Sequence, residues 1–541
     1  MRWADEEAHF IRPVRWIVAL CDKEIIPMEF AHVKSGNVSR GHRFLCKEPV
    51  VISDPLSYKE TMREAFVIVD QDERREMIRT GLLAVADKLG GHVWHNADLL
   101  EEINYLVEYP TPLYGRIDDE FLKLPVPAVV TPMRDHQRYY PVRNEDGSLM
   151  PYFLTVRNGG TKALENVQHG NEKVLRARLD DAKFFFENDR KKTLEGHRDD
   201  LTRINYQEGM GDMRDKADRL QKLTEAIGKD WGFTAEEAAD ADRAAFLSKS
   251  DLATGMVTEF TELQGEMGKE YALLDGEKPE VAQAIFEQYM PRFAGDILPQ
   301  QEIGRALSLA DKLDNLAATF LRGLIPTGSQ DPFALRRQTI GAVNILTDGK
   351  IHWDIRRGIE AALALLPGDE ETKKTVLSQI EDFFRQRIKA IMLDEGIAYD
   401  IIDAVLAGPV DDIYALFLKA RSMAESQLKD EAELRQAVTR LANITKGKTG
   451  GKVDPSLFNE DVEKKLQDAF EAVSAKALPL FASYEYGKAL PALKELTAPI
   501  NDYLDNVMVM VDDEAVKNNR ISQLLATLAL FNTWGDFSKL V

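Results

Sequence analysis

Two apolar stripes close the chain. Ile500, Tyr503, Leu504, Val507, Met508 and Val511 recur at the three- and four-residue spacing that puts them on one side of an α-helix, and Ile521, Leu524, Leu525, Leu528 and Phe531 form a second such stripe. The pattern predicts two packed helices at the C-terminal end. Near the front, Phe66 to Asp70 is a short β-rich run. It leads into a helix whose Ile78, Leu82, Val85 and Leu89 share one side and which Gly90-Gly91 stops, a βα unit with a glycine cap. Arg15 to Leu20 and Tyr152 to Arg157 are further strand-like runs. Prolines at 110, 112, 125, 127 and 132 predict an ordered, loop-rich stretch rather than long helices.

Beyond about residue 206 strand signals almost vanish. Helical patterns run to the C-terminus between turns at Ile325-Pro326-Thr327-Gly328-Ser329, Leu366-Pro367-Gly368 and Gly408-Pro409. The fold class expected is a multidomain α+β protein with a mixed N-terminal region, 1–205, followed by mostly helical domains at 206–345, 346–430 and 431–541. A chain of 541 residues is long enough for each of these to bury its own core.

Composition narrows the class. Two cysteines, Cys21 and Cys46, supply neither a disulfide framework nor the ligand count of a structural zinc site, which suggests a reducing compartment. No run of eighteen apolar residues exists, and Asp5, Glu6 and Glu7 precede the first apolar stretch, so neither a membrane span nor a signal peptide is expected; the expected location is the cytoplasm. The net charge of −21 argues against polyphosphate ligands on average, but binding is decided by local patches.

Two segments carry such patches. Between Lys173 and Arg203 lie Arg176, Arg178, Lys183 and further cations, with Arg176 and Lys183 on one side of a helix; the alternative is a solvated face laced with Asp180, Asp181 and Glu187. The second is Arg440, Lys446, Lys448 and Lys452, where no acid occurs from Gln436 through Lys452; the alternative is a flexible surface loop. Self-contained catalytic motifs are missing. Gly447-Lys448-Thr449 comes nearest to a phosphate-binding loop, but the earlier glycine it needs is Ala442, and neither G-x-S-x-G nor H-E-x-x-H occurs.

A series of short motifs runs in order along the chain. It begins with Met1-Arg2-Trp3 and Phe10-Ile11-Arg12-Pro13-Val14-Arg15-Trp16, then His136-Gln137-Arg138-Tyr139-Tyr140-Pro141-Val142 and Val174 to Phe185. Lys249-Ser250-Asp251-Leu252, Glu262-Leu263-Gln264-Gly265, Ala310-Asp311-Lys312-Leu313-Asp314 and Pro326-Thr327-Gly328-Ser329 with Asp331 to Arg337 follow. Ala498 to Met510 and Asn518-Asn519-Arg520 close the series. In wording and order the chain resembles the β subunit of the bacterial heterotetrameric glycyl-tRNA synthetase. Family members carry a further segment ahead of the Met1-Arg2-Trp3 region, absent here through truncation or a late start, which would contribute to subunit assembly.

The resemblance implies a glycine–tRNA ligase subunit that binds and positions tRNA(Gly), with no catalytic residue and no cofactor of its own. ATP and Mg would be used by the α subunit of an α2β2 holoenzyme. It implies that 431–541 is a helical anticodon-binding bundle, with Asn519 and Arg520 as base readers; a surface charge is the plainer role for Arg520. His136, Gln137, Tyr139, Arg336 and Arg337 become candidate contacts to the acceptor end of RNA or to the α subunit. The resemblance also implies that 206–345 is related to HD phosphohydrolases, with Lys249-Ser250-Asp251 where a His-Asp pair would stand and Asp311 matching the last aspartate. No histidine occurs between His197 and His352, so an imidazole-based metal site is not expected, and Asp251 and Asp311 are expected as caps or ion-pair partners. The alternatives are a metal-dependent HD-type phosphohydrolase and a non-catalytic helical interaction scaffold.

Overall fold

The computed structural model describes residues 7–540, so the Met1-Arg2-Trp3 motif lies outside the described residues. The chain divides into two units: Met1–Thr193 with Leu252–Glu270, and Leu194–Asp251 with Tyr271–Val541. The architecture is α+β, with all named strands in the first unit and helices throughout the second.

The first unit is built on a four-stranded antiparallel sheet in the spatial order His92–Val93, Tyr140–Arg143, Leu149–Asn158, Pro110–Arg116. The helices Gln71–Leu89 and Ala97–Leu106 bury Ile78, Leu82, Leu99 and Ile103 against Tyr140, Val142 and Leu154 of the sheet. The first of these helices begins where the Asp70 carboxylate accepts hydrogen bonds from the amides of Asp72 and Glu73, and it ends at Gly90 in the left-handed region. This is the helix and glycine stop that the apolar spacing predicts.

The strand expected just before it does not form. Phe66 adopts φ 62, and only the Ile68 amide reaches across, to the Glu108 carbonyl at 2.8 Å. The Ile68 carbonyl accepts from the Arg74 guanidinium at 2.6 Å rather than from a neighbouring strand. The proline-rich stretch also differs from expectation. Pro110 and Pro112 lie in an edge strand paired with Asn158 and Val156, a position that tolerates residues lacking an N–H. Gly81 lets the Gln71–Leu89 helix approach that edge, since a Cβ there would stand 2.6 Å from Pro112.

Ahead of the sheet, short strands form a small lobe. Ile17–Val18 runs parallel to Val33–Gly36, which pairs antiparallel with Glu29–Phe30, and Val38–Arg40 pairs with Pro49–Val51. After the sheet, the Leu164–Asp189 helix buries Leu175, Leu179 and Ala182. Its last residue, Asp189, accepts hydrogen bonds from the amides of Gly255 and Met256 at 2.8 and 2.9 Å, which ties residues 252–270 to this unit.

In the second unit the Glu302–Leu321 helix is buried along almost its whole length. Met213–Trp231, Ala235–Leu247, Pro279–Glu287, Leu335–Asp348, Ile355–Ala364 and Glu370–Asp394 surround it. Capping boxes at Asp212/Asp215 and Thr234/Glu237 set the starts of the first two. The unit ends in Ala432–Thr445, Asp461–Ala482, Thr497–Asn506 and Glu514–Asn532, sealed by buried Phe531, Trp534 and Phe537. The first tail helix is shorter than its stripe suggests. It stops at Asn506; Val507 is extended, Met508 is 73% exposed, and the Met508 carbonyl accepts a hydrogen bond from Arg520 rather than from a helical amide.

Candidate nucleic-acid interface

In the second unit, Asp251 and Asp311 stand in a cluster of buried charges. The Lys249 ammonium lies 3.0 Å from one Asp311 oxygen and the Lys216 ammonium 2.9 Å from the other. Lys216 also reaches Asp314 at 2.9 Å, and Arg219 grips Asp314 through two nitrogens at 2.6 and 3.1 Å. Tyr206 lies under both cations, and Tyr289 lies under Lys249 while donating its hydroxyl to Asp251. Burial alone raises the Asp311 carboxyl, but the Lys216 and Lys249 ammoniums override it and hold the group well below the usual carboxylate range. Burial pushes Lys249 down, and pushes Lys312, which donates to the Met290 carbonyl and the Ser308 hydroxyl, down to about 7. Among the described residues no group of three His, Cys, Asp or Glu could hold a metal ion. The chemistry available is charge neutralisation between elements, and no observation favours a phosphohydrolase.

Sequence reading singles out Asp251 and Asp311 but misses Lys216, Arg219 and Lys312. The signal was available: cations at 216 and 219 flank the apolar positions Ala217 and Leu220, and Asp311, Lys312 and Asp314 fall among Leu307, Leu309, Ala310, Leu313 and Leu316 in one mostly apolar stretch.

At the C-terminal end the structure brings two of the expected sets together. Past Thr445, where the Ala432–Thr445 helix ends, the chain runs irregularly through Lys446, Lys448 and Lys452, all exposed and none in an ion pair among the described residues. The segment is pinned to the Glu514–Asn532 helix. The Asn519 side chain accepts from the Asp454 amide at 2.7 Å and donates to the Asp454 carbonyl at 3.0 Å, while the Ser522 hydroxyl accepts from the Gly451 amide at 2.8 Å. Gly450 lies against Leu525. The lysines therefore project from a fixed strap.

Arg520 occupies neither expected position, base reader nor surface charge. It is 5% exposed and bonded through two nitrogens to Glu463, at 2.9 and 3.1 Å, while a third donates to the Met508 carbonyl. Glu463, at the start of the Asp461–Ala482 helix, also accepts from the amides of Asn459 and Glu460. Burial raises its carboxyl, and Arg520 with those amides overcomes this and leaves it lowered. Arg440 bonds Asn501 at 3.0 Å and Asp505 at 2.5 Å, joining two helices at the surface.

In the first unit Arg176 and Lys183 do share a helix side, and each reaches an acid of one turn: Arg176 to Asp118 at 2.9 Å, Lys183 to Glu120 at 2.6 Å. Arg178 is exposed. His136 lies over Phe260 and 3.8 Å from Glu262, Gln137 is half-buried, and Tyr139 is a core residue stacked on Phe153 with its hydroxyl pushed up to about 12 by burial. Arg336 and Arg337 lie in the first turn of the Leu335–Asp348 helix. Arg337 is exposed, and Arg336 faces Arg387, which burial and that neighbouring charge hold below the usual guanidinium range.

The likeness to known proteins spans the whole chain. The family model described as glycyl-tRNA synthetase beta subunit matches residues 1–407. The chain is 44% identical over 542 residues to the glycine–tRNA ligase beta subunit of Clostridioides difficile, covering 100% of this chain and 78% of that protein. It is 42% identical over 545 residues to that of Desulforamulus reducens, again covering 100% and 78%. It is 43% identical over 529 residues to that of Halothermothrix orenii, covering 97% and 76%. The chain belongs to the glycyl-tRNA synthetase β-subunit family.

Proposed function

We propose that this chain is the tRNA-binding member of a glycine–tRNA ligase, acting in the cytoplasm with an α subunit that carries the ATP- and Mg-dependent chemistry in an α2β2 assembly. The observation that carries the reading is 44% identity to a glycine–tRNA ligase beta subunit across 100% of the chain. No helix among the described residues is long and apolar enough to cross a membrane.

In this reading 431–541 is the anticodon-binding bundle, 346–430 a linker, and 206–345 a degenerate HD-like domain in which lysines have replaced the metal's positive charge. Lys446, Lys448 and Lys452 neutralise RNA phosphates, each adding nearly one unit to the salt slope. Asn519 acts by holding their strap, Arg440 lies at the edge of the same surface, and Arg520 braces the bundle. Arg176, Arg178 and Lys183 form a second contact in which phosphates take the places of Asp118 and Glu120. His136, Gln137 and Arg337 remain accessible for the acceptor end or the α subunit; Tyr139 supports the first, and Arg336 stands beside the last.

Filter binding to tRNA(Gly) at two salt concentrations tests this, with steep salt dependence expected. Salt-independent or undetectable binding would leave a helical scaffold as the better account. Glycine-dependent pyrophosphate exchange by the chain alone would overturn the division of labour.

A further inference from the structure

The lobe formed by residues 15–48 contains a cationic groove lined by none of the candidate site residues described above. From Phe30 through Lys47 there is no acid, in a chain where 90 of 541 residues are Asp or Glu and an equal stretch would average three. The fold turns that run into a cavity of about 920 Å3. Arg15, Lys34, Arg40, Arg43 and Lys47 line it, all exposed and none ion-paired among the described residues, against only Glu48 and Glu108. Trp16, 43% exposed, also lines it.

The turn that carries Arg43 and Lys47 is rigidly seated. Buried His42 donates its amide to the Ala65 carbonyl at 2.9 Å and accepts from the amides of Leu45 and Cys46. Gly41 makes that seating possible, since a Cβ there would stand 2.6 Å from the Ala65 oxygen. Neither folding nor internal pairing accounts for five unpaired cations around one concavity; a polyanion does.

We infer that this groove binds the phosphodiester backbone of an RNA strand and stacks an unpaired base on Trp16. The inference rests on the tRNA-binding reading and adds to it a contact separate from the C-terminal strap. An RNA strand fits better than an acidic peptide because the cations line a groove together with an exposed aromatic side chain, the combination that tracks a strand and stacks its bases.

The test is the salt slope of tRNA(Gly) binding by the full chain carrying Arg40→Ala, Arg43→Ala and Lys47→Ala together. A loss of about 2 units is expected at roughly 0.7 to 0.9 per phosphate contact. Arg40→Lys with Arg43→Lys should keep the native slope, which a merely structural role would not require. Trp16→Ala should weaken binding at least about fivefold with the slope unchanged. An unchanged slope in the triple variant, with the parent still binding in a salt-dependent way, overturns the groove and leaves the tRNA reading intact. Absence of salt-dependent binding by the parent overturns both. An unchanged slope together with lost association with the α subunit overturns the RNA assignment in favour of an acidic protein surface.

Discussion

Replacing Arg520 with Ala separates a bracing role from base reading. Removing one partner of a buried ion pair costs about 3–5 kcal/mol, because the remaining charge is left uncompensated. Glu463 is fully buried, but it keeps the amides of Asn459 and Glu460 at 2.8 Å each, which moves the expected cost to the lower end, about 3 kcal/mol. The lost bond to the Met508 carbonyl adds little, since that segment is open to water. In a chain of several cooperative parts the appropriate readout is local. Native-state hydrogen exchange in the Asp461–Ala482 and Glu514–Asn532 helices should accelerate roughly 150-fold, at 1.36 kcal/mol per factor of ten.

The pH dependence has a defined sign. In the parent the Glu463 carboxyl titrates below its unfolded value, so the pair's contribution is present above the usual carboxylate range and is lost as pH falls through the lowered value. In the variant, burial without the guanidinium raises the carboxyl. Proton uptake then favours the folded state, and the deficit shrinks from about pH 7 toward about pH 5. Unchanged exchange in both helices, combined with a large loss of tRNA affinity, would refute the bracing role and restore Arg520 as a reader.

Asn519→Ala should weaken tRNA binding about two- to tenfold at constant salt slope, because the lysines keep their charge while their strap loses its two hydrogen bonds; a changed slope would contradict this. Asp311→Ala should destabilise the second unit by about 3–5 kcal/mol, read by urea unfolding, since it removes the carboxylate shared by Lys216 and Lys249. Lys312→Met should flatten the rise in stability between about pH 7 and pH 10. In the parent the unfolded chain binds a proton there that the folded chain, with Lys312 at about 7, does not, so stability increases with pH through that window.

The sequence was most legible where local chemistry and burial agree. The Gln71–Leu89 helix follows from its apolar spacing and from Asp70 and Gly90 at its ends, and the final helix follows from Ile521 to Phe531. It was least legible where a distant side chain claims a backbone group. Arg74 takes the Ile68 carbonyl next to the turn at Phe66, where a strand was expected; Arg520 takes the Met508 carbonyl beyond a helix that its own stripe would have extended. Prolines 110 and 112 misled because only the sheet order reveals that they sit on an edge. Among candidate site residues, the acid-free run around Lys446 was readable from spacing alone, whereas its attachment to Asn519 is a tertiary fact. The matching acid-free run from Phe30 to Lys47 was equally visible and lacked only the cavity that gives it meaning.

A net charge of −21 and a polyphosphate ligand are compatible because the two signs are organised differently. Asp311, Asp314 and Glu463 are enclosed with Lys216, Lys249, Arg219 and Arg520, so their charge is cancelled at contact distance and contributes little to the field outside. Many surface acids likewise hold a cation, as Asp505 holds Arg440 and Asp118 holds Arg176. Among the described residues, two acid-free runs, one in each unit, carry exposed cations that hold no acid. Screening at physiological salt reaches only about 8 Å, so a phosphate seated beside Lys448 or Arg43 senses those neighbours and not the total. On the proposed tRNA-binding reading, the overall negative charge would act on encounter, repelling RNA from most approaches and leaving the cationic segments as the surfaces at which association would gain free energy.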